Sequence, residues 1–342
     1  MKISIRENIY IRMLTPNDAQ QVFDVIDQNR TYLRKWLPWV DGTDSPSVID
    51  GVLHKWEEQY KQGSDNVFGI FMNEKYIGNI GLHDIEPDNK KAVIGYWLAE
   101  QYQGKGIITD CVKSLIKYAF DELTLHTISI HCALDNAKSR AIPERLGFRE
   151  TGILKDGENL YGVTHDMVIY SLEKLRLIFP TIEHKQAALD YKQEHIDNGE
   201  THIHDSSGFI HADNYENWLD KVTWNKTEAT PDWVTGSVYF AIIDDKIVGT
   251  IAVRHYLNDS LLKSGGHIGY GVRPSERCKG YATQMLKLAL NKCRDLGIEK
   301  AIVTCDKDNI GSARTILKNG GVLENEFIND DGVIEQRYWI TL

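Results

Sequence analysis

Gln101-Tyr102-Gln103-Gly104-Lys105-Gly106 and, far downstream, Arg277-Cys278-Lys279-Gly280-Tyr281-Ala282 decide how this chain of 342 residues is read. Each lies between an apolar strand-like run and an amphipathic helix. In the first helix Ile108, Cys111, Val112, Leu115, Ile116, Ala119 and Phe120 recur at helical spacing; in the second, Ala282, Met285, Leu286, Ala289, Cys293 and Leu296 do so. A helix start offers unpaired backbone N–H groups and the positive end of the macrodipole, and small residues let the backbone approach a phosphate closely. The physical reading is a pyrophosphate cradle, present twice. It is not a P-loop, because Gly106 follows Gly104-Lys105 where Ser or Thr is required, and the third glycine of GxGxxG is missing.

Working outward, the surroundings repeat with a period of about 175 residues, too long for a solenoid and right for a duplicated domain. Phe68–Met72 and Tyr76–Leu82 predict a hairpin turning at Asn73-Glu74-Lys75; Val238–Ile243 and Ile247–Val253 predict another turning at Asp244-Asp245-Lys246. A strand follows in each copy, Ile94-Gly95-Tyr96 or Ile268-Gly269-Tyr270, and then the cradle and its helix. Further strands over Thr127–Leu134 and Lys300–Cys305 lead into helices opened by Asn136 and Asn309, with Ser139 and Ser312 three residues on. Pro143 inside the first of these should kink it. The boundary is expected within Glu173–Pro180 as a short connection, giving domains 1–175 and 178–342.

Length fits two cores, and 42% hydrophobic with 26% charged residues is the composition of a globular chain, not a collagen-like or disordered one. The net charge of -10, spread over both halves, argues against a nucleic-acid partner and suits a cationic one. Five cysteines without a CxxC pair read as buried thiols in a reducing compartment. The polar interruptions at Arg6, Glu7, Asn8 and Arg12 do not suit a signal peptide, and no apolar run approaches the roughly 18 residues of a membrane span. The expectation is a cytoplasmic protein without a membrane partner.

With its two cradles, its Ile-Gly-Tyr strands and its Asn helices, the chain resembles the GCN5-related N-acetyltransferases, the GNAT superfamily, twice over. Their signature is Gln or Arg, two residues, Gly, one residue, then Gly or Ala; in the register quoted above both copies fit it. The resemblance implies an α/β (α+β) class with two tandem acyl-CoA N-acyltransferase folds, each a mixed, mostly antiparallel sheet flanked by helices. It also implies acetyl-CoA as donor, an amine as acceptor and no metal. The first half is similar to the RimJ/RimL type, which acetylates the amino-terminal amine of ribosomal proteins, through Ile94-Gly95-Tyr96-Trp97-Leu98, Asn136-Ala137-Lys138-Ser139, Gly147-Phe148 and Glu158-Asn159-Leu160-Tyr161-Gly162 ahead of Asp166. The second half resembles acetyltransferases of unassigned substrate. The duplicated halves are candidates for a pseudo-dimer.

The resemblance also assigns roles. Glu158 is the base that takes the ammonium proton, its alternative being a solvated loop carboxylate; Ser139 is the acid for the departing thiolate. The donor is held by the Trp97-Leu98 backbone, Gln101, Gln103, Gly104, Lys105, Gly106 and Asn136 in the first copy. In the second it is held by Val272, Arg277, Lys279, Gly280, Tyr281, Ala282, Asn309 and Ser312. Asn136 serves equally well as a helix N-cap. The second copy has no residue matching Glu158 by spacing, leaving His255, His267 and Glu335 as candidates or strand polar groups. His202, His204 and His211 suggest metal ligands but read better as solvated. Tyr32, Trp36 and Trp39 are either core or an acceptor wall. The acceptor is a protein amino terminus, a polyamine or an aminoglycoside; the alternative to an enzyme is an acyl-CoA-binding sensor.

Overall fold

The computed structural model describes residues 1–329 and 331–342. They form two compact units, Met1–Lys174 and Leu175–Leu342. The stretch read as a connection is instead the start of the second unit. Leu175 is buried in that unit's core, and Arg176–Ile178 pair with Phe240–Ile242, so the unit begins ahead of the expected residue 178.

The first unit runs β1 (Lys2–Arg6), β2 (Ile9–Met13), α1 (Ala19–Gln28), α2 (Arg30–Leu33), α3 (Pro46–Gln62), β3 (Asn66–Met72), β4 (Lys75–Glu86), β5 (Lys91–Leu98), α4 (Ile107–Asp121), β6 (Thr127–Ala133), α5 (Ala137–Arg145), β7 (Arg149–Leu160) and β8 (Val163–Glu173). One eight-stranded sheet has the order β1-β2-β3-β4-β5-β6-β8-β7, with β5 and β6 parallel. Side chains alternate across it. Ala92, Ile94 and Leu98 pack with Ile107, Cys111 and Leu115 of α4, whereas Trp97 packs on the other face with Val22 and Ile49 of α1 and α3.

The β3–β4 turn places Asn73 and Glu74 at φ 48° and 63°, the two left-handed residues that a tight hairpin needs. Just beyond it the register slips, from Phe71 opposite Tyr76 to Ile70 opposite Gly78. That bulge presses Gly78 onto β5, where a Cβ would collide with the Trp97 carbonyl oxygen. The parallel pairing of β5 with β6 closes only at Lys91–Val93 against Thr127–Ser129, although β5 continues to Leu98 and β6 to Ala133. The strands therefore part. The Ala99 N–H donates to the Ile77 carbonyl at 2.9 Å, so alternation turns the Leu98 N–H to the opened edge.

The second unit runs β9 (Arg176–Ile178), α6 (Lys185–Asp197), α7 (Tyr215–Asn225), β10 (Gly236–Ile243), β11 (Lys246–Arg254), α8 (Asp259–Lys263), β12 (Ile268–Val272), α9 (Tyr281–Asp295), β13 (Lys300–Asp306), α10 (Ile310–Lys318), β14 (Val322–Ile328) and β15 (Ile334–Thr341). Its hairpin, its left-handed Asp244 and Asp245 and its register slip opposite Gly249 repeat those of the first unit. The expected single sheet is here two, β12-β11-β10-β9 and β13-β15-β14. A side chain joins them in place of a ladder. His267 donates its backbone N–H to the Ile302 carbonyl at 2.8 Å, and its Nδ1 accepts the Ile302 N–H at 3.0 Å. Past that stitch β12 and β13 separate. The Arg273 N–H goes to the Val248 carbonyl, which turns the Val272 N–H into the gap as Leu98 is turned in the first unit.

The stitch requires a neutral imidazole, because Nδ1 must accept. Burial, helped by the Arg254 guanidinium, lowers the His267 pKa from 6.5 to about 4. The unfolded chain therefore binds this proton more readily between those values: the contribution is complete above pH 6.5 and is lost as pH falls toward 4. We expect the urea midpoint of the second unit to fall between pH 7 and 4.5, with proteolysis of partly unfolded chain cutting that unit first, and His267→Gln to flatten the dependence. An equal slope in the variant would exclude His267 as the cause.

Candidate functional site

Gly106 (φ 73°) and Gly280 (φ 83°) are the N-cap residues of α4 and α9, and neither helix is capped by a side chain. Two residues earlier Gly104 (φ 71°) and Cys278 (φ 63°) also take the left-handed conformation. The helix starts thus set Gln103, not Gln101, opposite Arg277, and Ile107-Ile108 opposite Tyr281-Ala282. The register read from the sequence is two residues out, because the spacing of small residues does not mark which of them takes the left-handed cap. Ile108 therefore stands where the signature wants a small residue, and Gln101 is exposed in the preceding turn. Lys105 is fixed through its carbonyl, which accepts from Arg6 Nη1 at 3.1 Å.

In the first unit a cleft of about 1510 Å3 opens between the parted strands. Trp97, Leu98, Gln103, Gly104, Gly106, Asn136, Ser139 and Glu158 all line it, so residues of β5, the cradle, α5 and β7 converge there. The Gln103 amide donates to the Tyr32 hydroxyl, and Lys138 donates to Gln103 Oε1 at 3.3 Å. Asn136 caps α5, its Oδ1 accepting the Ser139 N–H at 3.2 Å. Glu158 sits half-buried on β7 opposite His165 of β8. Burial raises its carboxyl pKa above the usual 4.5, while the His165 ring opposes the shift.

Pro143 does not break α5, and the reason lies across the cleft. Lacking an N–H, it leaves the Ser139 carbonyl without its helical donor. The Tyr96 hydroxyl supplies one at 3.1 Å and lies 3.2 Å from Ser139 Oγ, which in turn lies 3.2 Å from Cys132 Sγ. In the second unit Ile316 stands at the proline position and has an N–H; there the Tyr270 hydroxyl lies 2.8 Å from Ser312 Oγ and also bonds the Thr315 side chain. Burial raises the pKa of the Tyr96 hydroxyl and the Cys132 thiol, and takes Tyr270 to about 12 and Cys305 to about 11. Sequence reasoning had passed over this Tyr-Ser-Cys trio. The signal was there: Cys132 and Cys305 both stand four residues before the helix-opening Asn. Tyr96→Phe should cost about 1 kcal/mol by removing the donor to this part-buried carbonyl, and much less in a Pro143→Ala background, where the helix supplies its own donor. Equal costs in a urea-unfolding double-mutant cycle would refute the coupling.

Of the aromatic cluster, Tyr32 and Trp36 line the cleft, and Trp39 is 43% exposed beside a second cavity of about 480 Å3 on the α1 and α3 face of β5. The two cavities share Trp97, whose ring lies 6.2 Å from that of Trp39. His83 borders the second cavity and is paired with Asp65 at 2.9 Å.

The second unit repeats the donor side. Asn309 caps α10 through the Ser312 N–H at 3.0 Å. Arg277 is bound by Glu200 at 2.8 Å, Glu200 also accepts from His195 Nδ1 at 2.7 Å, and Lys279 is paired with Glu276 at 2.8 Å. Tyr281 and Ala282 open α9. The β14–β15 hairpin is shorter than β7–β8, so no strand position answers to Glu158. His255 is engaged by Ser237 at 2.9 Å and buried Glu335 by Ser264 at 2.7 Å. His202 and His211 stack edge-on at 5.7 Å, and among the described residues no group of three or more His, Cys, Asp or Glu side chains is placed to hold a metal.

The model of the acetyltransferase (GNAT) domain matches the chain twice, over residues 8–149 and 176–322. The "Putative ribosomal N-acetyltransferase YdaF" of Bacillus subtilis (strain 168) is 41% identical over 171 residues, 50% of this chain and 93% of that protein. The ribosomal-protein-serine acetyltransferase of Escherichia coli (strain K12) is 31% identical over 169 residues, 49% of this chain and 94% of the relative. Among solved structures, RimL, the ribosomal L7/L12 alpha-N-protein acetyltransferase in complex with coenzyme A, is 25% identical with a TM-score of 0.49, covering 51% of this chain and 98% of that one. Two uncapped glycine-started helices beside parted strands, with a domain match to each unit, place the chain in the GNAT acetyltransferase family, as an enzyme that takes acetyl-CoA as its donor.

Proposed function

We propose that the first unit transfers acetyl from acetyl-CoA to the α-amino group of a protein, the acceptor class named for its ribosomal-protein relatives. The observation that carries this is the convergence of the cradle, the opened edge of β5 and half-buried Glu158 on one cleft. The pyrophosphate meets the N–H groups at Gly104–Ile107, and the pantetheine arm lies as a missing strand between β5 and β6, where the Asn136 amide can bond it. The Leu98 N–H then points at the thioester oxygen and stabilises the charge that develops there. Glu158, its pKa raised, takes the ammonium proton directly or through water, and the free amine attacks. The departing thiolate takes a proton from the Ser139 hydroxyl, which regains one from water. In the second unit Val272, Arg277, Lys279, Gly280, Tyr281, Ala282, Asn309 and Ser312 form the corresponding donor site.

The negative charge and five free thiols fit cationic acceptors in the cytoplasm, with neither nucleic acid nor membrane as partner; no helix among the described residues is long and apolar enough to cross a membrane. Free-thiol release from acetyl-CoA, measured with peptides bearing a free α-amine, with polyamines and with aminoglycosides, tests the assignment. Fast release with peptides alone supports it. Release confined to the small amines would move the acceptor to that class, and none at all would leave a sensor.

A further inference from the structure

The two units differ on the face of the sheet that in the first carries α1 and α3. In the first, the cavity of about 480 Å3 is floored by Gly81 and Gly95 and walled by Trp39, Trp56 and Trp97. The same face of the second unit carries Gly269 and Gly271 at the register of Gly95 and Trp97. There the chain covers it. A Cβ on Gly269 would collide with the Asp205 carboxylate, and one on Gly271 would stand 3.1 Å from the His204 carbonyl oxygen.

This cover is built in at every residue. Asp205 accepts from Arg254 Nη2 at 2.8 Å, and Arg254 Nη1 is itself fixed by the Gly265 and Gly266 carbonyls at 3.0 Å each. The Thr250 hydroxyl donates to the His204 carbonyl at 3.1 Å. Ser206, 1% exposed, donates to the Ile203 carbonyl at 2.7 Å, and its own carbonyl accepts the Trp218 indole N–H at 2.7 Å. Because its charge is already paired, Asp205 is no anion waiting for an ammonium. On the donor side the α9 cap, the Asn309 cap and the contact between Tyr270 and Ser312 Oγ mirror the first unit.

We infer that the second unit is an acetyl-CoA-binding module that admits no amine, residues 203–206 occupying the place where an acceptor would lie. The inference rests on the proposed donor sites. It is tested on the intact chain carrying Gly106→Glu, which closes the first cradle. Calorimetric titration with acetyl-CoA should still find one equivalent bound, and thiol release with α-amino peptides, polyamines and aminoglycosides should fall at least a hundredfold, to the rate without amine. Release at the unaltered rate with any amine would overturn it, and so would loss of all acetyl-CoA binding in a variant whose unfolding curve is unchanged. If the unaltered chain itself releases no thiol, the reading of the first unit fails, while the titration still decides whether the second binds donor.

Discussion

Glu158→Gln should lower amine-dependent turnover about a hundredfold or more while acetyl-CoA affinity stays near its original value. Gln keeps the size of the side chain and the ladder position opposite His165 but cannot receive a proton. A hundredfold corresponds to about 2.7 kcal/mol of barrier, within the range of a lost general base. The pH profile separates this from a binding defect. The base works ionised and burial raises its pKa, so kcat/KM should fall with acidity through a limb lying above 4.5, and that limb should vanish in the variant. Turnover unchanged at neutral pH would remove Glu158 from the mechanism and leave it a half-buried carboxylate of the β7–β8 ladder.

Acetyl-CoA stoichiometry should be two for the intact chain and one for either Gly106→Glu or Gly280→Glu. Both positions combine a left-handed φ with the N-terminus of a long helix, and a carboxylate there sets negative charge where the pyrophosphate must sit. The left-handed backbone costs a non-glycine residue about 1–2 kcal/mol, which a domain of this size withstands. Gly104 is the less stringent position, since its counterpart Cys278 adopts φ 63° with a side chain in place. Two equivalents bound by either variant would refute the cradle. One equivalent in the intact chain, lost only with Gly106→Glu, would make the second unit a scaffold.

Period and punctuation are enough to read the duplication, both hairpins and both cradle helices, because these are local patterns of glycine placement and apolar spacing. What escaped depended on partners distant in sequence. Pro143 reads as a break until Tyr96, on another element, is seen filling the carbonyl it orphans. His267 reads as a candidate base until its ring is found bonded to the backbone of β13. Residues 173–180 read as a connection because a three-residue edge strand leaves no periodic trace. The cradle register slipped because composition alone does not say which of several small residues carries the left-handed cap.

The parting of β5 from β6 leaves an unpaired strand edge inside a sheet, the feature that soluble proteins elsewhere shield against pairing with foreign chains. In the proposed binding mode the donor is the shield. A ligand at a hundred times its dissociation constant stabilises the folded state by about 2.7 kcal/mol, a sizeable share of a domain's total. Acetyl-CoA is then part of the protein's folded economy as well as its fuel, and a cell depleted of it should hold fewer intact copies of this chain as well as slower ones.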